Sequence, residues 1–261
     1  VMVLNFFQWF VVPLEDKHRL KYPARQQIDG SWSDVEGPFI IRSHDQGGTW
    51  ERKPIEVRCD PLPRAGTSDA VVELPNGTLI MGIYGADFGE NVCRAYSTVS
   101  HDGGDTWEEP TLIAVDPAKE ISFEEPGLAL TATGDLLALI RAGKPGKYEY
   151  LYQAVSRDQG KTWTDLHQTP LWGHPASVLL LADGRLLASY GYRRAPFGIR
   201  ACISSDGGKS WEIDHEIILR DDGMTRDLGY PCTAQLDDGS LLTVYYIHGE
   251  DGIRHIAGTF W

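Results

Sequence analysis

The 261-residue chain has no apolar run long enough to cross a bilayer as a helix, so a membrane partner is not expected. Cysteine is scarce: Cys59, Cys93, Cys202 and Cys232 lie far apart, with no Cys-x-x-Cys pair and no histidine at ligand spacing. That argues against a zinc site, and nothing implies a disulfide framework in a chain of this length. Basic residues are outnumbered, Lys+Arg 24 against Asp+Glu 37, for a formal net charge of −13. Binding to duplex DNA draws on phosphate neutralisation and needs the opposite sign, so nucleic acid is excluded as a partner. The G-x-G-x-x-G and P-loop patterns are missing, and no carboxylates have calcium-loop spacing. No cofactor and no metal are therefore expected. Between residues 60 and 261 no apolar pattern has the helical period.

What remains is an ordinary globular composition, 42% hydrophobic and 23% charged, with 28 glycines, 15 prolines and 8 tryptophans. Such usage suits many short strands joined by tight turns. The opening segment, Val1 to Val12, is apolar but interrupted by Asn5 and Gln8 and has no basic start. A strand is expected there rather than a targeting segment.

The pattern Ser-x-Asp-x-Gly-x-x-Trp occurs four times, starting at Ser43, Ser100, Ser156 and Ser204. Its chemistry is that of a hairpin corner: Asp accepts from turn N–H groups, Ser supports it, and Trp packs the next strand on its neighbour. These boxes are read as structural. Between them, Gly77, Gly134, Gly184 and Gly239 each close a short turn between strand-like runs, such as LALT and DLLALI around Gly134. The unit is strand, turn, strand, loop, strand, box, strand, which is a propeller blade. About five units are visible in one domain spanning 1–261, with residues 1–35 expected to be an irregular first blade.

Equivalent positions in blades form rings around one axis, and the axis mouth is the default site. Counting back from the turn glycines superposes Asp69 or Ser68, Glu125, His174 and Tyr230, three of them followed by or near proline: Glu125-Pro126, His174-Pro175, Tyr230-Pro231. Four reactive side chains at one height are unexpected for plain strand starts. Arginines form the second component. Arg141 closes the strand LLALIR, Arg193 and Arg194 follow LLASYGY, and Arg200 opens the strand before the last box. An arginine on an apolar strand calls for an anion. Arg141, Arg200, Arg193 and Arg64 are the candidate substrate-binding residues, while Arg194 suits a solvated rim.

The boxes and hairpin spacing resemble the Asp-box (BNR-repeat) sialidase superfamily, over roughly residue 36 to the C-terminus. The resemblance implies an all-β, six-bladed propeller of four-stranded blades. The segment EPGLALTATGDLLALIR resembles the one in which a glutamate precedes and an arginine closes a strand pair. The segment GYPCTAQLDDGSLLTVYY resembles the family's final blade, opened by a nucleophilic tyrosine. On this resemblance Tyr230 attacks the anomeric carbon, Glu125 takes its proton and Arg141 grips a sugar carboxylate, with Arg200 as second clamp. The family's Phe/Tyr-Arg-Ile-Pro motif has no counterpart, the nearest sequence being KYPARQQ with Arg25. Asp69 stands in for the acid/base aspartate on register grounds, with Asp227 behind it. The implied activity is an exo-glycosidase acting on a terminal acidic sugar, with carbohydrate as partner. Two other functions fit the same residues: a uronate lyase using His174 and Tyr230, and a non-catalytic carbohydrate-binding propeller.

Overall fold

The computed structural model describes residues 1–19, 25–26, 32–60, 62, 65–87, 90–144, 147–148 and 150–261. They form five antiparallel sheets in chain order. The first holds β1 (Met2–Val12), β2 (Arg25–Gln26), β3 (Trp32–Ser43) and β4 (Ile55–Glu56), and the second β5 (Val72–Glu73), β6 (Leu79–Gly85), β7 (Arg94–Ser100) and β8 (Thr111–Ala114). The third holds β9 (Ser122–Leu130), β10 (Leu136–Lys144), the short β11 (Lys147–Tyr148), β12 (Tyr150–Ser156) and β13 (Thr164–Trp172). The fourth is β14 (Ala176–Leu180), β15 (Leu186–Tyr192), β16 (Phe197–Ser204) and β17 (Ile217–Gly223). The fifth is β18 (Gly229–Gln235), β19 (Leu241–His248) and β20 (Arg254–Phe260).

Each sheet is a blade of a β-propeller. Five blades lie among the described residues, and the sixth implied by the resemblance is not among them. Residues 1–35 are not uniformly irregular. Met2–Val12 is a strand paired with β3 on both sides of one bulge, between Phe6 and Gln8; the text of the sequence does not place that partner strand.

The second, third and fourth blades are covered on both faces, so their middle strands read as nearly unbroken apolar runs, whereas the fifth leaves Val244, Ile256 and Phe260 exposed. In β10 every residue from Leu136 to Gly143 is buried. One apolar cluster joins the second and third blades through Ile80, Val99, Leu128 and Ile140, and another joins the third and fourth through Leu139, Leu171, Leu186 and Tyr190. Glycine sets the closest approach. A Cβ on Gly82 of β6 would lie 2.5 Å from the Pro126 carbonyl oxygen, and one on Gly127 of β9 2.5 Å from that of Ala176. Only residues without a side chain let neighbouring blades meet there.

The boxes behave as hairpin corners. Ser100 Oγ donates to Asp102 Oδ1 (2.8 Å) and accepts from the Gly104 N–H (2.9 Å), while Asp102 also accepts from the Thr106 N–H (2.9 Å). Two of the box tryptophans then fasten one blade to the one before. Trp163 Nε1 donates to Ser97 Oγ at 2.9 Å, and Trp211 Nε1 to Gln153 Oε1 at 3.0 Å. All four boxes follow the third strand of their blade, at the end opposite to where the inner strands begin. Distance alone keeps them out of the mouth.

Candidate active site

The inner strands deliver the candidate residues at the same height. Glu125 lies on β9, His174 just before β14, and Tyr230 on β18. Glu125 and Tyr230 share a left-handed backbone, φ 49° in both, each directly before a proline. Such a conformation costs about 1–3 kcal/mol in a non-glycine residue. The strand register slips beside both, between Leu139 and Arg141 and between Gly229 and Cys232. These bulges re-aim a side chain that regular pleating would turn away.

The re-aimed side chains converge. The Tyr230 hydroxyl donates a short hydrogen bond to Glu125 Oε1. Arg141 Nη1 donates to the other carboxylate oxygen at 2.8 Å, and its Nε lies 3.5 Å from Glu124 Oε2. Glu125 is thus a buried carboxylate bridging a phenol and a guanidinium. Tyr230 is walled by protein yet keeps 39% of its surface open to the mouth. Burial pushes its phenol above the usual range, and the Glu125 charge adds to this, while Arg141 and Arg193 pull it down. The phenol is therefore protonated at neutral pH, with its proton already pointed at a base.

Arg193 joins this group. Its guanidinium lies 5.8 Å from the centre of the Tyr230 ring, held by a 2.8 Å bond from Nε to the Leu228 carbonyl. Arg200 does not. It is buried inside the fourth blade, with Nε 3.7 Å from Glu216 Oε2, Nη1 donating to the Arg220 carbonyl, and its cation 4.6 Å from the Tyr192 ring. It stands on a third strand, away from the axis, and its charge is used within the blade. The second guanidinium beside Tyr230 is Arg193. Arg64 lies outside the described residues.

His174 is 1% exposed. Burial lowers its pKa to about 2, helped by Arg141, Arg193 and Arg226 nearby, so the imidazole stays neutral. Asp69 reaches the axis but not the Tyr230–Glu125 pair. Its carboxyl meets Ser177 and the Leu128 backbone at the level of Gly127, below Glu125 on the same strand. Although it keeps some solvent contact, burial among the inner strands raises its pKa to about 7, against the lowering effect of bonds from Ala70, Ser177 and Leu128. Asp227 accepts from Tyr246 Oη at 2.7 Å and pairs with Arg254 at 2.6 Å on the fifth blade.

Sequence reasoning missed Tyr84 and Tyr246. Tyr246 stacks on Tyr230 with ring centres 6.0 Å apart. Tyr84 is half-buried, which raises its phenol, and the Glu125 charge raises it further. The signal was present. Both stand seven positions beyond their turn glycine, as Arg141 does beyond Gly134, so the count that found Arg141 finds them too.

A propeller with box-fastened blades and a Tyr–Glu–Arg cluster at the axis mouth is the class of protein defined so far. Residues 10–244 match the BNR repeat-like domain, and the chain belongs to that family. It is 24% identical over 240 residues to a sialidase of Bacteroides fragilis, covering 84% of this chain and 40% of that protein. It is also 28% identical over 190 residues to a xyloglucanase of a Paenibacillus species, covering 67% and 18%. A protein of unknown function from Dyadobacter fermentans has the same structure at TM-score 0.85 and 32% identity, over 99% of this chain and 72% of that one. The chain thus spans less than half of either curated relative.

Proposed function

We propose that this protein is a retaining exo-glycosidase of sialidase type that releases a terminal acidic sugar. The observation that carries this is the Tyr230–Glu125–Arg141 relay, in which one buried carboxylate holds both the phenol proton and a guanidinium. An isolated phenol is a weak nucleophile at neutral pH. Here the phenolic proton passes to Glu125 as Tyr230 Oη bonds to the anomeric carbon. The bond to the leaving oxygen breaks with its electron pair, and that oxygen takes a proton from solvent. Water then attacks the same carbon and gives up a proton to solvent, while Tyr230 leaves and takes back its phenolic proton from Glu125. Use of tyrosine sets such enzymes apart from the two-carboxylate scheme.

The acidic sugar follows from charge. The charges of Arg141, Arg193 and Arg226 are felt at His174, while Glu124 and Glu125 supply the carboxylates that face Arg141. The surplus positive charge suits a carboxylate beside the anomeric centre, despite the net charge of −13. Asp69 is not given the leaving-group proton, since its carboxyl is engaged below the relay. A lyase base at His174 gains no support, since the ring is buried and holds its pKa near 2.

The test is turnover of a fluorogenic α-sialoside beside a panel of aryl uronides and neutral aryl glycosides, with Tyr230→Phe in parallel. Fluorophore release from an acidic sugar, lost in the variant, supports the reading. Preference for neutral glycosides refutes the acidic sugar. Silence across the panel, with glycan affinity kept in both proteins, means a binding propeller instead.

A further inference from the structure

The sequence YGYRR places two arginines side by side at the mouth end of β15, and their side chains part company. Arg193 leans toward Tyr230. Arg194 leans the other way, over the third blade, where its guanidinium lies 4.3 Å from the centre of the Trp172 ring and 4.9 Å from that of Tyr192. Its Nε donates to Tyr192 Oη at 2.7 Å. The two rings brace each other edge to face at 5.5 Å, and Trp172 meets the buried His174 ring at 6.2 Å. Trp172 ends β13, the outermost strand of its blade, and Tyr192 ends β15. The assembly therefore sits on the rim of the same mouth, outward of the relay.

Its fixed geometry separates Arg194 from the other exposed arginines. Arg157, Arg185 and Arg254 lie against carboxylates, whereas among the described residues Arg194, like Arg52, Arg58 and Arg226, meets none, and its terminal nitrogens have no hydrogen-bond partner. It is exposed yet held by two aromatic rings and a hydrogen bond, so little side-chain freedom is left to lose on binding. The guanidinium also lies over Trp172, so the rim offers a fixed cation rather than a bare ring on which a neutral sugar could stack.

We infer that Trp172, Tyr192 and Arg194 form a second anion subsite, which takes a sulfate or carboxylate on the sugar adjoining the one held at Tyr230. The inference rests on the glycosidase reading for what occupies the inner site, and it deepens that reading to doubly anionic glycans. A planar guanidinium with two free nitrogens matches the paired oxygens of either group.

The test compares sialyllactose with a sialyllactose sulfated on its lactose part, binding by calorimetry to the Tyr230→Phe protein, which leaves the probes intact. Arg194→Ala and Arg194→Lys are added to that background. The sulfated probe is expected to bind roughly fivefold to tenfold more tightly, as one charge-assisted pair on a half-exposed surface allows. Arg194→Ala removes that gain, Arg194→Lys keeps part of it, and high salt erases it. Equal affinity for the two probes, or a gain that survives Arg194→Ala, overturns the inference. A third probe, lactose sulfate against lactose by NMR titration, isolates the subsite from the inner sugar. Arg194-dependent binding of lactose sulfate with no turnover of any acidic glycoside sinks the glycosidase reading and leaves the subsite standing. No binding of any sulfated probe sinks the subsite.

Discussion

Replacing Asp69 by asparagine tests how the inner strands treat a charge. The carboxyl has an ordinary pKa of 3.8, raised to about 7 by burial. An acid whose pKa is raised on folding keeps its proton longer in the folded than in the unfolded chain. Stability is then greatest below the unfolded value and falls as pH rises toward the folded one. At about 1.4 kcal/mol per pH unit, the whole shift corresponds to roughly 4 kcal/mol. Screening through the solvent contact that Asp69 retains cuts this to about 2 kcal/mol. Asparagine has similar shape and can still accept from Ser177 and the Leu128 backbone, but does not ionise. Urea unfolding at about pH 5 and about pH 8 is the assay. The original protein is expected to lose about 1–2 kcal/mol more than Asp69→Asn across that interval, so the variant gains relative stability at the alkaline end. Parallel pH profiles would mean that water reaches Asp69 freely and that the inner strands do not desolvate it.

Three further outcomes follow from the geometry. Tyr230→Phe lowers kcat for an aryl glycoside by at least about a thousandfold with KM little changed, because the ring stays and only the bond-forming oxygen goes; steady-state kinetics checks this, and a variant with most of its kcat intact excludes Tyr230 as nucleophile. Gly127→Ala destabilises by at least about 2 kcal/mol, since its Cβ would stand 2.5 Å from the Ala176 carbonyl oxygen and 2.8 Å from Asp69. Chemical denaturation reads this, and the same variant lowers turnover by moving Glu125. Ser100→Ala costs about 1–2 kcal/mol by leaving the Gly104 N–H unpaired in a buried corner, and turnover at the far end of the blade stays as it was.

The repeat carried most of what could be read in advance. The boxes mark strand ends, and the turn glycines, such as Gly134 with φ +85° and Gly239 with φ +87°, mark hairpins. From these two anchors the register of Glu125, Arg141 and Tyr230 follows by counting. Counting fails where a strand does not start at a repeat landmark. β1 has no turn glycine ahead of it, so its pairing with β3 was invisible. Counting also gives height along the axis but not direction around a strand. Arg200 and Arg193 both looked like mouth residues, yet one is turned into its blade toward Glu216 and the other toward Tyr230. Asp69 shows the same limit in depth: it precedes β5 in the expected order, but its carboxyl settles beside Gly127 rather than Glu125.

The contacts through Gly82 and Gly127 have a bearing on how such a protein diversifies. Where strands touch backbone to backbone, the glycine at the contact cannot be exchanged for a residue with a side chain. The relay residues just above are consequently held by parts of the chain that substitution cannot adjust in small steps. On the proposed function, substrate range has to drift elsewhere, in the connection that crosses the rim between Tyr192 and Phe197. A glycosidase built this way would keep one chemistry while changing the company its sugar keeps.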